Sequence, residues 1–149
     1  MKLNYILIPL MFWTNFLFGQ ESKFNKDTCI LKYDSIISRN IYEVVDEMPE
    51  FPTGIDSLRS FIKMNLAWPI DPANFSGVVL ISVIVEIDGR LTNPKIVRGI
   101  YEPADIEALK LIEKMPKWKV GMCNGEAVPV RIYLPIKFIY EPEFDIKKE

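Results

Sequence analysis

The residue types that usually carry out enzyme chemistry are scarce in this chain. It contains no histidine, so the commonest general base, the orienting member of a catalytic triad and the imidazole metal ligand are all missing. The densest carboxylates, Asp46, Glu47 and Glu50, lack the glycine spacing of a calcium loop and are more simply interpreted as a solvated face. No phosphate loop, dinucleotide fingerprint or nucleophile elbow occurs. We therefore predict a protein that is not an enzyme and needs no metal or cofactor.

Two cysteines, Cys29 and Cys123, are the other reactive side chains. In an oxidising compartment they are candidates for a disulfide that closes a long loop of the chain. The alternative is two isolated or buried thiols. Which of the two applies depends on the distance between them, which no sequence pattern contains.

The strand with the clearest sequence signal lies near the C-terminus. From Val128 to Tyr140 the even-numbered residues are apolar, which predicts a strand with one buried face. Pro129 and Pro135 have no amide hydrogen and share odd parity, so both missing donors lie on the same side of the strand. We therefore expect this strand at the edge of a sheet, with its odd-numbered backbone groups free to pair. A tight turn at Asn124-Gly125 leads into it.

Two helices are predicted before this strand. Thr53 and Asp56 form a pair that resembles a capping box, which predicts a first helix that ends near Asn65. Glu102-Pro103 opens a second helix, and Pro116 ends it at Met115.

The remaining strands form a hairpin. A β-branched run over 77–87 turns at Asp88-Gly89 into a second strand over 91–98, and 30–37 is a candidate for one more short strand. The predicted fold class is α+β, with two helices packed on one face of a three-stranded antiparallel sheet.

An apolar run over 5–18 reads as a secretory signal peptide. At about fourteen residues it is short for a membrane span, which needs about twenty. We predict a signal peptide over 1–20, with an uncleaved short anchor as the alternative. A leader over 21–41, a domain over 42–140 and a charged tail over 141–149 follow. This organisation predicts a location in the periplasm or cell envelope.

The overall charge argues against a nucleic-acid partner. The formal net charge is -2, and the basic residues are scattered along the sequence rather than clustered as in a nucleic-acid surface. With 49% hydrophobic residues, the chain has enough apolar surface for one modest core that needs neither metal nor disulfide.

Several segments occur in a fixed order and spacing along the chain, namely Tyr42-Glu43-Val44-Val45-Asp46-Glu47-Met48-Pro49-Glu50-Phe51-Pro52, Val83 to Gly89, Arg98-Gly99, Glu107-Ala108, Met115 to Lys119, Gly121, Asn124-Gly125 and Leu134 to Phe138. Together they resemble the TonB C-terminal domain family, and most closely the envelope-protein branch in which Met-Pro-Glu-Phe-Pro precedes the domain. The resemblance implies a family motif made of Met115, Pro116, Lys117, Trp118, Gly121, Asn124, Gly125 and Pro135. It also implies that Trp118 packs into the domain, although its two flanking lysines suit a binding platform as well.

The resemblance implies a docking role. In this family a short segment of an outer-membrane receptor lies alongside the final strand, which is strand addition to a sheet edge. Carried over to this chain, the backbone partners are Val130, Arg131, Ile132, Tyr133 and Leu134. We expect an exported interaction module that binds a TonB-dependent outer-membrane receptor, or another envelope protein, in transmembrane transport. The two prolines also suit the opposite purpose, an edge protected from pairing.

An energy transducer needs an inner-membrane anchor and a long spacer. The leader would reach only roughly 60 Å even as extended polyproline. We therefore expect a module that binds envelope proteins without transmitting force by itself, and that meets a membrane only through partners or an uncleaved N-terminal segment. The alternative function is a structural or signalling domain of the envelope that forms a homodimer through exposed Leu80, Ile84 and the edge strand.

Overall fold

The computed structural model describes residues 29–69 and 75–139. The predicted signal peptide and charged tail lie outside these residues, and the predicted domain limits stay predictions. Neither helix of the described part combines the length and the apolar character needed to cross a membrane.

The described residues form seven strands and two helices. In chain order these are β1 Ile30–Asp34, β2 Arg39–Val44, α1 Ile55–Asn65, β3 Gly77–Val85, β4 Leu91–Arg98, α2 Glu102–Glu113, β5 Gly121–Cys123, β6 Glu126–Val128 and β7 Val130–Phe138. Five strands make one sheet in the order β1-β2-β7-β3-β4, and β5 and β6 make a separate hairpin. The α+β class with two helices is confirmed. The three-stranded antiparallel sheet was wrong, because β1 and β2 extend it to five and β2 runs parallel to β7.

Most of the β1–β2 hairpin falls in the predicted leader over 21–41, whose sequence is polar and weakly periodic, and β2 continues into the predicted domain. Its turn is closed locally by the Asp34 carboxylate, which accepts a hydrogen bond from the Ile36 amide at 2.8 Å. The hairpin is held on the sheet by distant partners. Arg131 of β7 pairs with Asp34, and Arg39 donates to Glu86 at 3.1 Å. Such contacts across the fold leave no local sequence pattern, which explains why the prediction missed most of the hairpin.

The main core lies between the sheet and both helices. Alternate residues of β3 and β7 point to this side, as the period-2 pattern predicts. Both helices contribute to the same cluster, so both lie on one face of the sheet. Its fully buried members include Val79, Ile81, Val83, Val85, Ala104, Ala108, Val130 and Ile136.

The helix ends differ from the prediction. Gly54, not Thr53, precedes α1, and its φ of 89° suits glycine. Because glycine has no side chain, α1 has no side-chain cap at this position. The second helix ends at Glu113 rather than at Met115, and Met115 packs partly buried against the core.

A second, smaller buried cluster lies on the opposite face of the sheet, which we call the helix-free face. Ile84 is 1% exposed and Ile41 is also buried, yet neither belongs to the main core cluster. Ile84 alternates with the inward residues of β3, so it lies on the helix-free face, beside Arg131 in the register. The prediction that Ile84 is exposed and available for a dimer contact was wrong, since this end of the face is covered.

Candidate docking surface

The orientation of the β7 backbone follows from one proline. Pro135 lies opposite Leu80 in the antiparallel pairing of β7 with β3. Proline has no amide hydrogen, and the backbone groups of a strand alternate between its two neighbours, so the odd-numbered residues of β7 direct theirs away from β3. Tyr42 supports this direction, since its amide donates to the Pro129 carbonyl at 3.0 Å from the β2 side.

The side of β7 that faces away from β3 is its outward flank. One end of this flank is occupied. β2 pairs with β7 at a single position, Tyr42 opposite Val130, and then leaves the sheet. Within residues 29–69 and 75–139, no strand pairs with the flank from Ile132 to Phe138. The prediction that β7 is an edge strand was therefore wrong in the strand order, because β2 lies beside it. What remains is a partly open flank, bounded at its N-terminal end by β2.

After β2 the chain pairs with β5 and with the segment that precedes β5. Glu47 exchanges two backbone hydrogen bonds with Met122, at 3.1 and 3.0 Å, and Glu50 exchanges two with Lys119, at 3.2 and 2.8 Å. The Lys119 ammonium also lies 2.7 Å from the Glu50 carboxylate. This segment is thus held by its backbone and by the Glu50 carboxylate.

A disulfide joins Cys29 to Cys123, with 6.2 Å between the Cα atoms. It fastens the start of β1 to the end of β5. The Asp46 carboxylate lies beside the two sulfurs and accepts a hydrogen bond from the Asn124 amide at 2.8 Å. Because each sulfur is bonded to the other, neither is a thiolate ligand, and we assign no metal site to these residues.

The structure separates the five predicted docking residues into three groups. Three have side chains buried in the core, namely Val130, Ile132 and Leu134. Arg131 is half-buried and pairs with Asp34, so it lies at the end that the hairpin occupies. Tyr133 lies beside the open flank and is 51% exposed. It is the one predicted docking residue whose side chain and backbone both remain accessible in the described structure.

Trp118 of the family motif is a core residue. Its side chain is 7% exposed and meets the Phe51 ring edge to face, with 5.7 Å between the centroids. Its amide donates to the Gly89 carbonyl at 2.8 Å, and a Cβ at Gly89 would collide with the Trp118 carbonyl oxygen. The segment after α2 is therefore docked onto the β3–β4 turn, and this burial argues against a binding platform.

The rest of the motif delivers the chain to β7. Asn124 and Gly125 have φ angles of 51° and 81°, which suits the tight turn between β5 and β6. Gly121 has no room for a side chain, because a Cβ there would collide with Val130. Exposed Pro116 and Lys117 connect α2 to this region. These residues lead the chain from α2 into β7.

Two contributors to the surface were missed by sequence reasoning. Tyr42 limits the open flank, and Asp34 fixes Arg131 from 97 residues away. Tyr42 pairs with β7 through a single bridge, and Asp34 contacts β7 through the Arg131 side chain. Neither residue therefore carries a periodic signal that points to β7.

A family model described as "Gram-negative bacterial TonB protein C-terminal" matches residues 72–140. This part of the chain belongs to the TonB C-terminal family. The family resemblance read from the sequence is confirmed over these residues, which contain β3, β4, α2 and the strands through β7. TonB C-terminal domains are non-enzymatic and interact with proteins at the Gram-negative cell envelope. Searches of curated proteins and of solved structures gave no significant match.

The Asp34–Arg131 pair links the hairpin to β7 electrostatically. The hydrogen bond from Arg131, helped by the Ile36 amide, lowers the pKa of Asp34 from 3.8 to about 2. A lowered pKa means that the ionised carboxylate stabilises the fold above pH 3.8 and that this contribution is lost as the pH falls toward 2.

We expect Asp34→Asn to lower the urea midpoint of unfolding at about pH 6, because the ion pair is lost. The difference from the unchanged chain should close between about pH 4 and about pH 2, where Asp34 itself becomes protonated. Asp56→Asn is the control, since Asp56 belongs to an ion pair whose carboxylate side chain is 89% exposed and should change the midpoint little. A gap that stays constant down to pH 2 would contradict this assignment.

The disulfide should contribute substantially to stability, because it joins residues 94 positions apart. The chain-entropy estimate for a loop of this length is on the order of 4 to 5 kcal/mol. We expect Cys29→Ser/Cys123→Ser to lower the free energy of unfolding by about 3 to 5 kcal/mol, measured in urea. A reductant should weaken the unchanged chain similarly and leave the double variant unaffected. An unchanged midpoint under reductant would refute a stabilising disulfide.

Proposed function

We propose that this protein is an exported interaction module that binds an extended segment of an outer-membrane receptor or transport protein by strand addition to β7. The observation that carries this proposal is the open flank from Ile132 to Phe138. There the amides of Tyr133 and Lys137 point away from β3 and have no partner strand in the described residues. Unpaired backbone groups of this kind accept a further strand.

The geometry limits how a partner strand sits. β2 occupies the flank at Val130, so the docked strand lies C-terminal to that position. Pro135 offers a carbonyl on this flank but no amide, which leaves one acceptor of the partner without a donor. A partner is therefore held in register by donors on both sides of the proline, at Tyr133 and Lys137.

The other edges of the sheet suit docking less well. β4 carries Pro94, a left-handed Asn93 with φ 51°, and register shifts in its pairing with β3. Prolines and bulges at an edge discourage pairing. β1 is only five residues long and places Lys32 on the edge. Among the described strands, β7 thus has the longest regular stretch of unpaired backbone.

This reading also supports envelope transport over dimerisation. The dimer alternative needed exposed Leu80 and Ile84, and Ile84 is covered by the hairpin end of the face. The predicted signal peptide would place the module in the periplasm, where the TonB C-terminal family acts.

We expect a photo-crosslinking residue at Lys137, in intact cells, to capture segments of an outer-membrane receptor or transport protein. Tyr133→Pro in the same chain should reduce the adduct about tenfold, since it deletes one docking hydrogen bond, whereas Tyr133→Ala keeps the amide and should stay within about threefold. The backbone nitrogen of Tyr133 faces away from β3, like that of the native Pro135. Tyr133→Pro therefore removes no hydrogen bond to β3, and the variant should still fold. Circular dichroism checks this.

A crosslinker at Val97, exposed on β4, serves as the positional control and should capture much less. Equal adducts from both positions, or no loss in Tyr133→Pro, would refute strand addition to β7. Adducts made only of the protein itself would support the dimer instead.

A further inference from the structure

The helix-free face has two ends of different character. At one end the β1–β2 hairpin and its ion pairs cover Ile84. At the other end Val78 and Leu80 are half-buried, and Tyr133 and Pro135 are exposed. This second end is therefore an apolar and aromatic floor that no described element covers.

Three basic residues border this floor. In the register of the sheet, Arg98 lies opposite Leu80 and Lys95 opposite Ser82, and Lys137 lies opposite Val78. Residues paired across neighbouring strands share a face, so all three belong to the helix-free face. We call Lys95, Arg98 and Lys137 the cationic patch.

Among the described residues, no acid pairs with the cationic patch. Most other basic side chains of the described residues are in ion pairs, as Lys32, Arg39, Arg59, Arg90, Lys110, Lys119 and Arg131 show. None of the three patch residues has a carboxylate within ion-pair distance in that part of the chain. At this end of the face, β3, β4 and β7 contribute no acidic residue. The segregation is informative because the chain as a whole carries a net charge of -2.

We propose that the segment docked on β7 is acidic and that the cationic patch selects it. This inference rests on the proposed function, because Lys137 and Tyr133 belong to the strand with the open flank. Neighbouring strands lie about 4.8 Å apart, so Lys95 and Arg98, two strands from β7, act over about 10 to 15 Å. That separation is close to the Debye length of about 10 Å at about 0.1 M ionic strength and well within the length of about 30 Å at about 0.01 M. Charges at this range raise association rates and suppress partners of the wrong sign.

The same arrangement favours a polypeptide over an anionic lipid surface. A strand added to β7 directs alternate side chains to the helix-free face, where they line up beside Tyr133 and Lys137. An exposed aromatic residue next to unpaired backbone groups is typical of a peptide anchor. The chemistry expected of the partner is therefore an extended segment with acidic residues at alternate positions.

The test uses three eight-residue peptides in which valine alternates with glutamate, glutamine or lysine. Binding of each peptide to the full chain is measured by fluorescence anisotropy. We expect the glutamate peptide to bind about tenfold more tightly than the glutamine peptide at low salt, and the lysine peptide to bind least. The advantage of glutamate should shrink severalfold when salt rises from about 20 to about 200 mM.

Charge reversal off the docking strand isolates the patch. Lys95→Glu/Arg98→Glu should abolish the glutamate preference, whereas Lys63→Glu/Lys114→Glu, which changes the net charge equally on the two helix regions, should change it by less than about twofold. Tyr133→Pro should weaken all three peptides together, because it acts on the backbone and not on charge.

The outcomes separate the two proposals. Equal binding of the three peptides, with Tyr133→Pro still weakening all of them, overturns the acidic partner and leaves strand addition standing. Binding by none of them overturns the acidic partner as well, and the crosslinking at Lys137 then decides strand addition alone. Co-sedimentation with vesicles containing about one third phosphatidylglycerol, lost in Lys95→Glu/Arg98→Glu and without any peptide preference, would assign the patch to a lipid surface instead.

Discussion

The pairing of β7 with β3 is the constraint on which the rest of the structure depends. It runs without interruption from Gly77 opposite Phe138 to Val85 opposite Val130. This register sends the even side chains of β7 into the core and, through Pro135, turns the odd backbone groups outward. A slip by one residue would bury Arg131, Tyr133 and Lys137 and would aim the missing amide of proline at β3. The core and the open flank are therefore two results of one register.

The parts of the fold that sequence could predict are those whose cause is local. Alternation predicted the buried face of β7, and Asp88-Gly89 predicted the β3–β4 turn, where Gly89 has φ 82°. The hairpin over β1 and β2 could not be predicted in the same way. Its stability depends on Arg131, on Glu86 and on a disulfide between residues 94 positions apart. A polar segment with such distant partners looks like a leader when it is read alone.

The sequence was enough to predict which backbone groups of β7 point outward, but not where the open flank begins and ends. Two prolines of odd parity were enough to infer that the odd backbone groups of β7 point outward. Nothing near β7 in the sequence shows that Tyr42 occupies the flank at Val130, because that bridge comes from a strand far earlier in the chain. The patch was hidden for a different reason. β4 shifts register twice against β3, so simple alternation cannot tell which side of the sheet Lys95 and Arg98 share.

The hairpin and the open flank depend on each other. β2 touches β7 through one bridge only, which is too little backbone pairing to hold a strand by itself. The hairpin is retained instead by the disulfide at Cys29 and by the Asp34–Arg131 and Arg39–Glu86 pairs. Because side chains and a covalent bond do this, the backbone of β7 beyond Val130 is not used up by the hairpin. The fold can therefore cover one end of the helix-free face and still leave a strand-binding flank beside the uncovered, basic end.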